Sequence, residues 1–254
     1  MPDGGLLEVA HEGAVCVLTF RREEKLNAIS TAVERRLLDA LADPEVQESR
    51  CVVFAGGPQA FSAGADLLEQ RNEDPAGIEA YYRDTGDVYE RIAALPQPTV
   101  SAIAGWCLGA GFELALATDF RVAEATAVFG LPEVELGILP SSGGTYRLVR
   151  TVGPARAKEL MLLRPRFDGE EAYRLGVVTE VVPEGQALPR ALELAERIAS
   201  LPPLAASAAK QAANALAESS REAGILVERL AYAALAQTAE AREAAESFSK
   251  RKKG

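Results

Sequence analysis

The chain has 254 residues, 48% of them hydrophobic, with a mean hydropathy near zero, enough to bury a sizeable core in one large domain or a domain with an appendage. A formal charge of −10 makes a polyphosphate backbone a poor partner. Every apolar stretch is interrupted before the roughly 20 residues of a membrane span, and no basic-then-apolar leader opens the sequence, so a cytoplasmic protein without nucleic-acid or membrane partners is expected.

In chain order, Ala14 to Phe20, Cys51 to Gly56, Thr99 to Gly105 and Thr118 to Ala123 are short runs rich in Val, Ile, Phe and Thr, ending at Gly or charge, and read as strands. Between them lie helical stretches: Thr31 to Leu41 behind the cap Ser30, Ile78 to Ala94 before Pro96, and a segment around Glu113. This alternation predicts an α/β core with crossover connections. Beyond about residue 185 the strand signals stop. Pro189 to Ser200, Leu204 to Ala217, Glu222 to Ala236 and Ala239 to Lys250 predict a helical subdomain, in which Ile225, Leu226, Leu230, Ala233 and Ala234 recur at helical spacing and call for a partner surface.

Cys16, Cys51 and Cys107 are odd in number and widely separated, so they read as packing residues rather than a disulfide framework or metal site. His11 is the only histidine and has no nucleophile near it in sequence, which argues against a Ser-His-Asp or Cys-His engine. The closing run Lys250, Arg251, Lys252, Lys253 reads as a solvated tail or a local phosphate contact.

Three stretches carry the chemistry. In "GWCLGAGFELALATDF", Gly105 to Phe120, the acid Glu113 stands in an apolar segment behind Gly109, Ala110 and Gly111. Small residues at a helix start let a polarised oxygen approach the unpaired N–H groups there; taken alone, they equally permit tight packing with Glu113 at a partly solvated edge. "FSAGADLLEQ", Phe61 to Gln70, sets Ala63, Gly64 and Ala65 before Asp66, which by itself reads as a helix N-terminal acid. Two small-residue turns, each supplying an N–H, are the ingredients of a two-donor oxyanion hole. In "FGLPEVELGILPSSGGT", Phe129 to Thr145, Pro132 fits a first helical position, Glu133 the first turn and Gly137 the stop. Glu135 is expected to point away from Glu133, toward solvent.

Together "EEKLNAIS", "FSAGADL", "GWCLGAGFELALATDFRVA", "FGLPEVELGILPSSGGTYRL" and "GVVTEVV" resemble the enoyl-CoA hydratase/isomerase, or crotonase, family over nearly the whole chain. The resemblance implies a spiral of ββα units over residues 1–185, carrying the active site, and a helical trimerisation subdomain over 186–254, giving a homotrimer or a dimer of trimers. It matches the N–H groups of Ala65 and Ala110 to the oxyanion hole, and Glu113 and Glu133, 20 positions apart, to the hydratase acids. Glu113 then mainly activates water and Glu133 exchanges a proton at the α-carbon.

Lys25, Leu26, Ala28, Ala63, Gly64, Asp66 and Leu67 match the segments that embrace the CoA part of an acyl-CoA thioester. No metal or redox cofactor is implied. Two positions depart from the hydratase pattern: Ala110 replaces a middle glycine, and Ser141 stands where a glycine is common, adding a hydroxyl and bulk near the acyl site. The expected reaction is reversible hydration of a trans-2-enoyl-CoA. The alternatives are a Δ3,Δ2-enoyl-CoA isomerase or a non-catalytic acyl-CoA-binding protein.

Overall fold

A computed structural model of the chain describes residues 5–67, 69, 74–163, 166–217 and 219–251, with side chains up to 246. Its strands are β1 (Leu7–Glu12), β2 (Val15–Phe20), β3 (Cys51–Ala55), β4 (Ala60–Ser62), β5 (Thr99–Ile103), β6 (Trp106–Leu108), β7 (Phe120–Glu124), β8 (Val128–Gly130), β9 (Phe167–Asp168) and β10 (Glu180–Val182). They form a six-stranded sheet, β1-β2-β3-β5-β7-β10, and a four-stranded sheet, β4-β6-β8-β9. Three times the chain runs from a strand of the large sheet into a strand of the small one and then into helix, which is the repeat of a ββα spiral.

The helices are α1 (Thr31–Ala42), α2 (Pro44–Glu48), α3 (Pro75–Asp84), α4 (Val88–Ala93), α5 (Ala110–Ala117), α6 (Gly144–Leu162, kinked at Gly153), α7 (Gly169–Arg174), α8 (Ala187–Ala199), α9 (Pro203–Leu216), α10 (Arg221–Leu235) and α11 (Ala239–Arg251). Ser30 caps α1 by accepting from the Val33 N–H.

The inner strands β2, β3 and β5 of the large sheet, buried at every position, read as nearly unbroken apolar runs because both faces are covered. Leu18, Val52, Phe54 and Ile103 belong to the main core, with Leu37 of α1, Ile92 of α4 and Leu114 of α5. Val17, Val53, Val100 and Val122 face Ala187, Ala191, Ala195 and Ala199 of α8. That alanine stripe recurs every fourth residue, so α8 presents one small-residue face to the sheet. Cys16, Cys51 and Cys107 are all buried, and burial pushes the Cys16 thiol up to about 11, so the cysteines are core residues. His11 pairs with Glu45 at 3.4 Å.

The stretch expected as one helix from Ile78 to Ala94 is two helices, α3 and α4, separated at Thr85 to Asp87. The break lets Tyr81, Thr85 and Tyr89 all donate hydroxyl hydrogen bonds to one buried carboxylate, Glu34 of α1. A buried acid must be satisfied in this way, and satisfaction here overrides helical continuity. The strand expected from Thr118 begins only at Phe120, because Thr118 terminates α5 and Asp119 accepts from both the N–H and the hydroxyl of Thr99.

The small sheet decides where the function sits. Its strands β4, β6 and β8 are parallel neighbours, so their carboxyl ends lie side by side. The segments leaving them are Ala63 to Leu67, Gly109 to Glu113 and Leu131 to Glu133, the three stretches singled out in the sequence. Open parallel sheets bind ligands outside the carboxyl ends of their strands.

Candidate active site

Two backbone turns come into contact first. Ile29 donates its N–H to the Gly64 carbonyl and accepts from the Asp66 N–H, both at 2.8 Å. This bridge uses the residues on either side of Ala65, so the alternation of an extended chain directs the Ala65 N–H away from Ile29. On the other turn, Ala110 opens α5 behind Gly109, which offers no side-chain cap; its N–H has no partner within the helix. No hydrogen bond among the described residues uses either N–H. A Cβ on Gly64 would lie 3.1 Å from the Leu108 carbonyl oxygen and 3.7 Å from Gly109 Cα. The two turns pack this closely because both are built from small residues.

Glu113 stands in the first turn of α5 and is 3% exposed. Its Oε1 accepts from the backbone N–H groups of Ser142 at 2.8 Å and Gly144 at 2.9 Å, while Oε2 takes no hydrogen bond from the described residues. Glu133 follows Pro132 in a short 3-10 helix, Pro132–Leu136, that Gly137 ends in the left-handed region. Its Oε1 lies over Gly109, and its Oε2 is buried without a hydrogen-bond partner among the described residues. Glu135 is exposed.

Burial lifts both acids above the ordinary carboxylate range. The N–H groups of Gly144 and Ser142 and the charge of Arg147 pull Glu113 back toward ionisation. Glu133 is pushed up to about 7 by burial, with its own backbone N–H opposing and the Glu113 charge adding to the rise. Two neighbouring acids are thus held in different environments, the arrangement that divides acid from base roles.

Beside this centre, Lys25 ends a 3-10 turn, Glu23–Lys25, and Leu26 and Asn27 both take left-handed φ, +50° and +54°. Such a backbone costs a non-glycine residue about 1–2 kcal/mol. The buried Asn27 side chain offsets it by accepting from the Arg22 N–H at 2.9 Å and donating to the Ala60 carbonyl at 2.8 Å. Ala28 donates to the Lys25 carbonyl, and Ala63 donates to the Leu26 carbonyl at 2.9 Å.

Asp66 sits in a turn instead of opening a helix among the described residues, and its carboxylate pairs with Arg22 at 2.8 Å. Lys25, Leu26, Ala28, Ala63, Gly64, Asp66 and Leu67 therefore belong to two loops tied into one rim, from which Leu26 and Leu67 project into solvent. Ser141 precedes the Glu113-binding turn, and its hydroxyl accepts from Tyr82 of α3. The basic run Lys250 to Lys253 lies outside the residues whose side chains are described.

Sequence reasoning did not find Ser142 and Gly144 as partners of Glu113, nor Arg22 as the partner of Asp66. The glycine pair Gly143 and Gly144 before a helix was the visible signal for the first. Nothing in sequence links Arg22 to a residue 44 positions away.

Residues 10–254 match the enoyl-CoA hydratase/isomerase family, and the chain belongs to that family. Among its relatives, 2,3-dehydroadipyl-CoA hydratase of Escherichia coli (strain K12) is 38% identical over 245 residues, 95% of this chain and 94% of that one. A "Probable enoyl-CoA hydratase" of Rhizobium meliloti (strain 1021) is 37% identical over 97% of this chain and 96% of its own length. The crystal structure of enoyl-CoA hydratase from Bacillus anthracis superposes with a TM-score of 0.90 at 34% identity, covering 97% of this chain and 96% of that chain. The crotonase fold expected from the sequence is thus the fold of its solved relatives.

Proposed function

We propose that the chain is an enoyl-CoA hydratase, adding water reversibly to one face of a trans-2-enoyl-CoA to give a 3-hydroxyacyl-CoA. The observation that carries this reading is the meeting of the Ala65 turn with the start of α5, where two N–H groups that no described residue accepts stand beside two buried acids. The thioester oxygen takes the Ala65 and Ala110 N–H groups as donors, which stabilise the negative charge that grows there as water attacks; one such donor is typically worth about 3 kcal/mol in the transition state.

In this reading the attacking water is held by Glu113 Oε2 and Glu133. As its oxygen bonds to the β-carbon, Glu113 accepts the proton it releases, and Glu133 delivers a proton to the α-carbon on the same face. The fixed N–H donors on Glu113 Oε1 suit the acid that must be ionised, and the raised Glu133 suits the one that must carry a proton. The acids share the water, so their titrations are coupled. This chemistry calls for no metal or redox cofactor, and CoA enters only as part of the substrate.

The rim formed by Lys25, Leu26, Ala28, Ala63, Gly64, Asp66 and Leu67 is assigned to the CoA portion, and Ser141 to the acyl side. Residues 1–185 are assigned to the catalytic spiral and 186–254 to a helical part in which α8 covers the large sheet while Leu204, Leu226, Leu230 and Tyr232 are exposed, an apolar surface a second copy would cover. The assembly proposed is a homotrimer, single or stacked, in the cytoplasm.

Crotonyl-CoA incubated in ¹⁸O-labelled water tests the reaction. Hydration gives labelled 3-hydroxybutyryl-CoA with loss of enone absorbance. Isomerisation of a 3-enoyl-CoA without label, alongside intact crotonyl-CoA, would replace hydratase with isomerase, and saturable binding without turnover of either would leave a binding protein.

A further inference from the structure

The turn that grips Glu113 is itself gripped from behind. Arg147, in the first turn of α6, donates from Nη1 to the Ser142 carbonyl at 3.0 Å, and its backbone N–H bonds the Gly143 carbonyl at 2.8 Å. Its Nη2 bonds Glu90 of α4 at 2.6 Å. The Arg147 side chain is 12% exposed, the Glu90 side chain 63%. The guanidinium lies against Gly143, whose φ of +89° keeps that position free of a Cβ that would collide with Nη1. One planar cation therefore joins the Ser142 carbonyl to α4 and holds the Ser142–Gly143 peptide, which lies between the two peptides whose N–H groups, those of Ser142 and Gly144, point at Glu113. Both Arg147 and Glu90 line a groove of about 840 Å³ between α4, α6 and α9, away from the small-sheet turns that carry Ala65 and Glu133.

We propose that Arg147, braced by Glu90, is a positioning residue for Glu113: it holds the Ser142 to Gly144 turn so that its N–H groups fix Glu113 Oε1 and leave Oε2 for water. The proposal rests on the hydratase reading for its consequence in turnover but not for its consequence at the Glu113 carboxyl. Around Glu113 the charged and titratable groups are Arg147 from α6, Glu133 from the 3-10 helix, and Tyr81 and Tyr89, which face Glu34. Arg147 is the cation of that set, so its removal acts on Glu113 with one sign: the proton is held to higher pH.

The experiment uses the full chain labelled with ¹³C at glutamate Cδ, with the Glu113 resonance identified by its loss in Glu113→Gln. Its titration midpoint is read in the parent, Arg147→Gln and Arg147→Lys, alongside kcat and KM for crotonyl-CoA. Arg147→Gln is expected to raise the midpoint by about one pH unit, and to lower kcat about 10- to 100-fold with KM within about threefold. Arg147→Lys is expected to restore the midpoint while recovering only part of kcat, since an ammonium cannot make both contacts in one plane.

A parental Glu113 midpoint in Arg147→Gln overturns the proposal whatever the kinetics. If that variant does not fold, Glu90→Gln carries the test through an exposed position: a severalfold loss of kcat at parental KM supports the proposal, and parental kcat overturns it. A parent that turns over no enoyl-CoA defeats the hydratase reading, while the midpoint still decides the role of Arg147.

Discussion

Gly109 leaves the space that Glu133 occupies: Oε1 of the acid lies 2.9 Å from where a Cβ on residue 109 would stand. The same glycine has a φ of +49°, a backbone that L side chains rarely adopt. Gly109→Ala is therefore expected to cost about 1–3 kcal/mol of stability and to push Glu133 off the start of α5. Displacement of a catalytic group by even about 1 Å can cost about 100-fold in rate. Urea unfolding and crotonyl-CoA turnover check the two effects separately; a stable variant with parental kcat would show that Glu133 does not need that position.

Glu133 also sets a direction for the dependence of stability on pH. Its carboxyl is raised from the ordinary 4.5 to about 7 in the folded chain. Between those values the folded chain holds a proton that the unfolded chain has released, so this acid's contribution favours folding at low pH and is lost as pH rises through the window. Glu133→Gln removes that contribution. Thermal unfolding followed from pH 4.5 to 7 is expected to fall less steeply with pH in the variant than in the parent; equal slopes would mean that Glu133 titrates normally.

Arg22 and Asp66 join the loop before α1 to the Ala65 turn, with side chains only 18% and 13% exposed. Asp66→Asn leaves a half-buried guanidinium without its counter-charge, and breaking such a pair costs about 3 kcal/mol. Because the pair spans the rim assigned to CoA, KM for crotonyl-CoA should rise at least severalfold, more than kcat falls. Steady-state kinetics with calorimetry measure both, and a variant that loses kcat alone would move Asp66 from the rim to the chemistry.

Tyr82 and Ser141 bind each other by their hydroxyls, which commits the extra hydroxyl of Ser141 to α3. Ser141→Ala and Tyr82→Phe should each leave crotonyl-CoA kcat within about threefold. Their stability effects should be non-additive by about 1 kcal/mol, the worth of one such bond. A large loss of kcat in Ser141→Ala with parental kcat in Tyr82→Phe would give the hydroxyl a direct role at the substrate.

The inner strands of the large sheet were legible in the sequence because burial on both faces writes them as continuous apolar runs, and the helices because Ala, Leu, Glu and Arg dominate them between breaks. Val15–Phe20, Cys51–Ala55 and Thr99–Ile103 were placed within two residues of their ends, and so were α1 and α8 to α11. The small sheet was not found strand by strand: β4, β6 and β8 have three residues each, too few for a period to emerge. Yet the glycines and alanines that leave those strands were visible, since close approach of backbones demands small residues at fixed positions.

Other parts of the site depend on tertiary placement. The halt of α3 at Thr85 serves Glu34, an acid 51 positions earlier, and the partners of Glu113 arrive 29 and 31 residues later. The first pairing leaves no local trace, and the second leaves only the glycine pair Gly143 and Gly144 before a helix. The family resemblance named the acids and donors, whereas the reasons they can lie together, Gly64 against Leu108 and Gly144 against Glu113, are packing facts.

The central claim is that Glu113 and Glu133 work on one water at one thioester. It is tested most directly by crotonyl-CoA turnover in Glu113→Gln, Glu133→Gln and the double variant. Groups that act as a unit are non-additive: each single change should lower kcat at least about 1000-fold, and the double variant should be no more than about tenfold below the weaker single. Parental turnover in either single variant, or losses that multiply in the double, would contradict the account.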